Sequence, residues 1–368
     1  VGDAVTLEVD GARRIYRITR MTDGADRLIE ARAFDPLVFD APPAFSPEPA
    51  AASPALAGPP FPVVLDLAYA NDDANVLQYV GVFADPWPGA MALWRGVGGS
   101  FTLERKLTGC AIIGETLDAL APGPAARIDR GAALRVKVRG GALASVTEKQ
   151  MLSGANAAAL CGPDGAWEII GFAGAELVGD GVYRLTSLLR GLGAETHLAK
   201  RMLGAGAQFV LLDGAVTPLV SGLSRIGVAN SWRIGPADRS HADPACVSFT
   251  SVATAKALTP CAPARVRGRR SGEGVVFSII RRGRRDADGW DLMEIPLGED
   301  SEAYDVEVLR GGSVLRVLSS TQPGILYPTA LEAADFGSAQ GMFDLRVFQK
   351  SASVGRGFAL AAQVVLSS

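Results

Sequence analysis

Histidine is almost missing from this chain: two residues, His197 and His241, among 368. A His-based triad or a histidine-rich metal centre would have to be built on one of those two positions. The four cysteines, Cys110, Cys161, Cys246 and Cys261, lie far apart and form no CxxC pair. That spacing argues against a zinc site or a disulfide scaffold and leaves buried free thiols as the plain reading; Cys246 and Cys261 could close a small loop, but nothing in the spacing favours it. No apolar run approaches the roughly 18 residues that cross a bilayer, so no membrane span is expected. Charge of one sign is lacking too. With 36 basic and 39 acidic residues the net charge is -3, which leaves no electrostatic footprint for nucleic acid. The one dense basic run, "RVRGRRSGEGVVFSIIRRGRR", interleaves arginines with apolar residues, as a solvated strand face and turn would.

The standard cofactor motifs are absent as well. "GAGAQF", residues 204–209, starts like a dinucleotide loop, but Phe209 stands where a third glycine belongs and a strand follows instead of a helix. No GxSxG, HExxH, GxxxxGK[ST] or EF-hand loop occurs. The expectation is therefore no cofactor, no metal and no catalytic residue.

What the chain does have is strand chemistry. Forty-three glycines punctuate short β-branched runs, and few stretches keep a helical period, so the fold is expected to be mainly β, in several antiparallel domains. In "ALRVKVRGG", Leu134, Val136 and Val138 alternate with Arg135, Lys137 and Arg139. Asp10-Gly11, Asp23-Gly24, Gly179-Asp180-Gly181 and Gly311-Gly312 supply residues that tolerate positive φ between such runs.

Composition divides the chain further. Residues 1–41 read as the end of a β-rich domain that begins upstream, since three or four strands alone are marginal and the first residue is Val1. Residues 42–62 hold eight prolines among alanines and read as an extended linker, reaching on the order of 65 Å at roughly 3.1 Å per residue. Residues 63–235 read as a second β-rich domain, 236–262 as a linker, and 263–368 as a β-sandwich of the fibronectin type III kind.

Three places could carry chemistry. Glu195-Thr196-His197 puts a carboxylate two positions before a histidine, but i and i+2 point apart on a helical turn, so both are expected to be turn and surface residues. Glu294, Glu299, Asp300 and Glu302 could supply a carboxylate pair, but a polar turn between two sandwich strands explains them without chemistry. Trp87 and Trp94, set among Pro86, Pro88 and glycines, could stack on a glycan or a partner; packing at a core or interface is the competing reading. His241 sits in a polar loop and is expected to be a plain loop residue.

The segments "GDAVTLEVDGARRIYRITRMTDGADRLIEARAFDP", "AWEIIGFAGAELVGDGVYRLTSLLRGLGAETHLAKRMLGAGAQFVLLDGAV" and "GWDLMEIPLGEDSEAYDVEVLRGGSVLRVLSSTQPGILYPTALEAADFG" together resemble the C-terminal part of the tail-tip hub, or host-specificity, protein of siphophage-like particles, in particular of alphaproteobacterial gene transfer agents. The resemblance implies a structural protein, three copies of which close the tail tube. It further implies neighbouring baseplate proteins and a host envelope receptor or glycan as partners, and a virion tail tip, assembled in the bacterial cytoplasm, as location. Longer members carry a glycoside-hydrolase-like barrel; nothing matching it is present, so that activity is not implied. Two positions depart from the fibronectin pattern: Ile280 stands where a tryptophan is usual, and "MFDLRVFQ" lacks the corner tyrosine. The alternatives are a carbohydrate-binding or hydrolytic accessory module and a secreted adhesin.

Overall fold

The computed structural model describes residues 2–33, 58–68, 76–285, 287 and 293–367. Most of the proline-rich linker, residues 42–57, lies outside the described residues. The chain divides into two compact units, Val1–Ala55 and Leu56–Ser368.

The first unit is an antiparallel meander of β1 (Ala4–Val9), β2 (Ala12–Asp23) and β3 (Arg27–Ala33), in that order. Its first turn is the Asp10-Gly11 pair, with φ of 55° and 75°. Both central residues being left-handed gives the twist that two flanking strands need.

The second unit has a topology the composition does not suggest. β4 (Phe61–Leu65), β5 (Val76–Phe83), β6 (Met91–Val97) and β7 (Ser100–Leu107) come first, and β14 (Thr217–Val220), β15 (Ala229–Pro236) and β16 (Val247–Val252) come more than a hundred residues later. They interleave into two sheets, β14-β5-β4 and β16-β15-β6-β7. Everything between them forms a closed six-stranded barrel. Its strands are β8 (Ile113–Thr116), β9 (Ile128–Arg139), β10 (Ala157–Cys161), β11 (Trp167–Gly179), β12 (Val182–Leu192) and β13 (Gln208–Leu211), closing in the order β10-β11-β12-β9-β8-β13. The barrel is thus inserted into a sandwich. Residues 63–235 hold two architectures, and residues 236–262, expected as a linker, contribute β16 because Val247–Val252 pairs along Ala229–Ile234.

Alternation places the layers. Leu134, Val136 and Val138 of β9, Ile170 and Phe172 of β11, and Phe209 of β13 fill the barrel interior. Ile113, Ala159, Ile169 and Val210 face outward, where Val63 and Leu65 of β4 cover them with Tyr79 and Phe83 of β5. The opposite face of that sheet, with Val80, Val82 and Leu219, packs on Met91, Leu93, Trp232 and Ile234 of the four-stranded sheet. Barrel wall, three-stranded sheet and four-stranded sheet are three successive layers.

Glu168 alternates with Ile170 and Phe172, so it too points into the barrel. There Arg190 of β12 grips it with Nε and Nη2 at 2.7 and 2.6 Å and donates Nη1 to the carbonyl of Ala121. The pair is 1% and 5% exposed.

After the turn Lys256–Leu258, the chain builds a seven-stranded sandwich from β17 (Arg265–Ser271), β18 (Gly274–Ile280), β19 (Tyr304–Arg310), β20 (Ser313–Ser320), β21 (Gly324–Pro328), β22 (Met342–Ser351) and β23 (Gly355–Val365). Sheets β17-β18-β21 and β20-β19-β22-β23 give the three-plus-four division of a fibronectin type III fold. Position 280 is not its core aromatic position: alternation sends Val275, Phe277 and Ile279 inward and leaves Ile280 47% exposed. Phe277, Tyr327 and Phe343 form the aromatic core instead, with ring centroids 5.5 to 6.4 Å apart.

Because a buried charge left without its partner is far costlier than the pair itself, Arg190→Ala should lower stability by about 3–5 kcal/mol. The double variant Arg190→Met with Glu168→Leu should recover most of that loss. Urea unfolding of the three chains checks both; a single variant within about 1 kcal/mol of the parent would mean that the pair does not support the barrel.

Candidate functional site

Trp94 lies on β6, opposite Arg233 of β15 and Leu103 of β7, and is 7% exposed. The loop after β15 folds over it. The His241 ring meets Trp94 edge-on at 6.3 Å and Phe101 at 5.5 Å, while Arg233 stacks on Phe101 and donates to the His241 carbonyl at 2.9 Å. Trp94 therefore has no open face for a sugar ring. Trp87 is half-buried against the sheet-on-sheet core.

The acidic turn is tied to arginines. Arg281 reaches Glu294 at 2.8 Å and Glu302 at 3.2 Å, and Arg284 holds Glu299 at 2.6 Å. Glu302 also accepts from the Tyr304 hydroxyl at 2.7 Å, and burial raises the pKa of that phenol. These contacts tie Glu294, Glu299 and Glu302 to Arg281 and Arg284, just after β18.

Glu195 departs from the surface position expected for it. It precedes the 3-10 turn Thr196–Lys200 and is only 7% exposed, because two distant segments converge on it. Lys256, from the turn before the sandwich, approaches Oε1 at 3.5 Å. Asp66, just after β4, lies within electrostatic reach and takes a hydrogen bond from the Thr254 amide at 3.0 Å. Glu195 Oε2 and Asp66 Oδ1 are buried without hydrogen-bond partners. Burial pushes the pKa of both carboxyls up, against the pull of Lys256.

His197, exposed as expected, rests its ring on Phe358 of β23 at 5.7 Å. Partial burial, with Arg201 and Lys256 nearby, lowers its pKa and keeps it neutral at pH 7. Ala68, Ala194 and Cys261 form a small apolar cluster beside it, with Phe358 packed against them. The Glu195-Thr196-His197 stretch thus sits where the barrel, the start of the sandwich layers and the C-terminal module meet. Its chemistry is that of a joint, with two carboxyls sharing one lysine.

The cysteines are all free, and only Cys261 is fully buried. Burial raises the pKa of the thiols of Cys161, Cys246 and Cys261, so they stay protonated at neutral pH and make poor nucleophiles. Among the described residues no group of three or more His, Cys, Asp or Glu side chains could hold a metal ion, and no helix is long and apolar enough to cross a membrane.

One feature escaped sequence reasoning altogether. At the seam where β4 meets the barrel wall, Phe61, Ile113, Gly114, Glu115, Lys137, Arg139, Gly206 and Gln208 line a groove of about 300 Å³. The alternation in "ALRVKVRGG" showed that Lys137 and Arg139 would share a face. It could not show what faces them.

The architecture defines a mainly β, multi-module protein with a barrel inserted into a sandwich. Residues 111–210 match the family model described as "Rcc01698-like, C-terminal", a span that coincides with the barrel from β8 to β13. That match is compatible with a protein related to gene transfer agents. No curated protein matches the chain.

Raised carboxyl pKa values have a definite sign. Between the ordinary carboxyl value and the raised folded one, the folded chain holds a proton that the unfolded chain has lost, so the stability contribution of Glu195 falls as pH rises through that window. Glu195→Gln mimics the protonated state. Its melting temperature relative to the parent should therefore climb from pH 4 to pH 7, and a flat difference across that range would show that burial does not strain the carboxylate.

Proposed function

We propose that this chain is a non-enzymatic structural component of a phage-like tail tip or baseplate, a hub segment that helps close the tail tube and positions the particle on the host envelope. The observation that carries this reading is the family match, which spans the whole inserted barrel and is compatible with a gene-transfer-agent protein. The rest of the molecule is consistent with an assembly part. It is a series of β modules, and the buried contact of Lys256 with Glu195 joins segments 61 residues apart in the chain. In this reading the chain is a homotrimer in contact with other tail-tip proteins. It is assembled in the bacterial cytoplasm and released with the particle.

An antibody against residues 263–368, visualised with gold on particles released from the producing strain, tests the placement. Label should concentrate at the tail end. Label on cell surfaces beside unlabelled particles would overturn the hub reading and favour an adhesin.

A further inference from the structure

The groove at the seam between β4 and the barrel is built from both parts of the second unit. On the barrel's outer wall, Gln208 of β13, Glu115 of β8 and Lys137 of β9 are successive cross-strand partners. Two interstrand spacings of roughly 4.8 Å make that row about 10 Å across. Arg139 and Ile113 pair in the neighbouring row. Phe61, the first residue of β4, stands at the rim and is 52% exposed.

The cations here are available for a ligand. Arg135, next on the same face, is gripped by Asp118 at 2.7 Å, and Arg184 leans toward Glu176 at 4.0 Å. Among the described residues Lys137 and Arg139 form no ion pair, although Lys137 stands opposite Glu115. The floor is open, since Gly206, with φ of 79°, has nothing within 4 Å of where a side chain would start. A groove of this size matches the small end of the range for small-molecule sites.

We propose that this groove binds an acidic sugar residue of a surface polysaccharide. Lys137 and Arg139 would take the sugar carboxylate through charge-assisted hydrogen bonds. Glu115 and Gln208 would hold ring hydroxyls, and Phe61 would cover the apolar face of the ring. Glu115 decides between polyanions. It accepts from hydroxyl groups, which a sugar supplies at every residue, and it repels a ligand whose successive units present only negative charge, such as an acidic peptide. This inference deepens the tail-tip reading by naming the ligand class of a host-facing surface, and it rests on that reading for its biological setting.

The test uses the purified full chain and a galacturonic-acid tetramer, with the galactose tetramer and a glutamate peptide of equal charge as comparators, by titration calorimetry at two salt concentrations. Saturable binding of the acidic tetramer is expected, weakening with salt, about tenfold or more weaker in Lys137→Gln/Arg139→Gln, and weaker again in Phe61→Ala. All three side chains are exposed, so circular dichroism should show the variants folded. Absence of binding at low millimolar acidic tetramer, equal binding of the galactose tetramer or the glutamate peptide, or affinity unmoved by the substitutions would each overturn the proposal. Failure here leaves the location of the chain untouched, because gold labelling reads that independently.

Discussion

The second unit depends on one sheet being apolar on both faces. β5 is the centre of β14-β5-β4, and its burial is almost continuous from Val76 to Val82. One face covers the barrel wall and the other covers the four-stranded sheet. A strand buried on both faces cannot alternate polar and apolar residues, and "VLQYVGVF" does not. If that sheet were lost, Ile113, Ile169 and Val210 on one side and Leu93, Trp232 and Ile234 on the other would meet water together. At roughly 25 cal/mol per Å² of apolar surface, the hydrophobic term therefore couples barrel to sandwich.

Such a layer needs its polar exceptions satisfied. Gln78 sits within β5 at 3% exposure, and its amide is used at both ends. Its Nε2 donates to the Val252 carbonyl at 3.1 Å, and its Oε1 accepts from Ser251, whose hydroxyl accepts from the Trp232 indole at 3.0 Å. This chain of donors and acceptors ties β5 to β16 and β15. A slip of one residue in β16 would strand the amide and the indole in an apolar core, so the network selects one register at little net energy. Arg190 and Glu168 do the same inside the barrel, where only one pairing of β11 and β12 brings guanidinium and carboxylate together.

Local structure was legible in the sequence, and long-range structure was not. Asp10-Gly11 and Gly311-Gly312 announce hairpins because positive φ at two consecutive residues is a local demand, and both occur as turns. The inward set of β9 was readable for the same reason. The insertion was invisible: Val220 of β14 pairs with Val76 of β5, and no local pattern records a partner so far away. The site was lost to the same distance. Glu195 looked like a surface turn residue because Asp66 and Lys256, which approach it in the fold, lie 129 residues before it and 61 after it in the chain. The arginines that hold the acidic turn were not legible either, because Arg281 and Arg284 precede the carboxylates they grip by 13 to 21 residues.

The insertion also determines what the family match can mean for the seam. The matched span contains the barrel wall, with Glu115, Lys137, Arg139 and Gln208. Phe61 comes from β4, outside that span, and is held at the rim only because β4 completes the sheet that covers the wall. A barrel without this sandwich would keep the charges and lose the ring that closes one side of the groove. Lys137 and Arg139 on an open wall attract anions, and screening at physiological salt leaves that attraction weak. A rim aromatic changes that, since it adds a contact that depends on the shape of the ligand. Selectivity at the proposed site would therefore draw on both parts, Glu115 of the barrel wall against polyanions and Phe61 of β4 for the shape of the ligand.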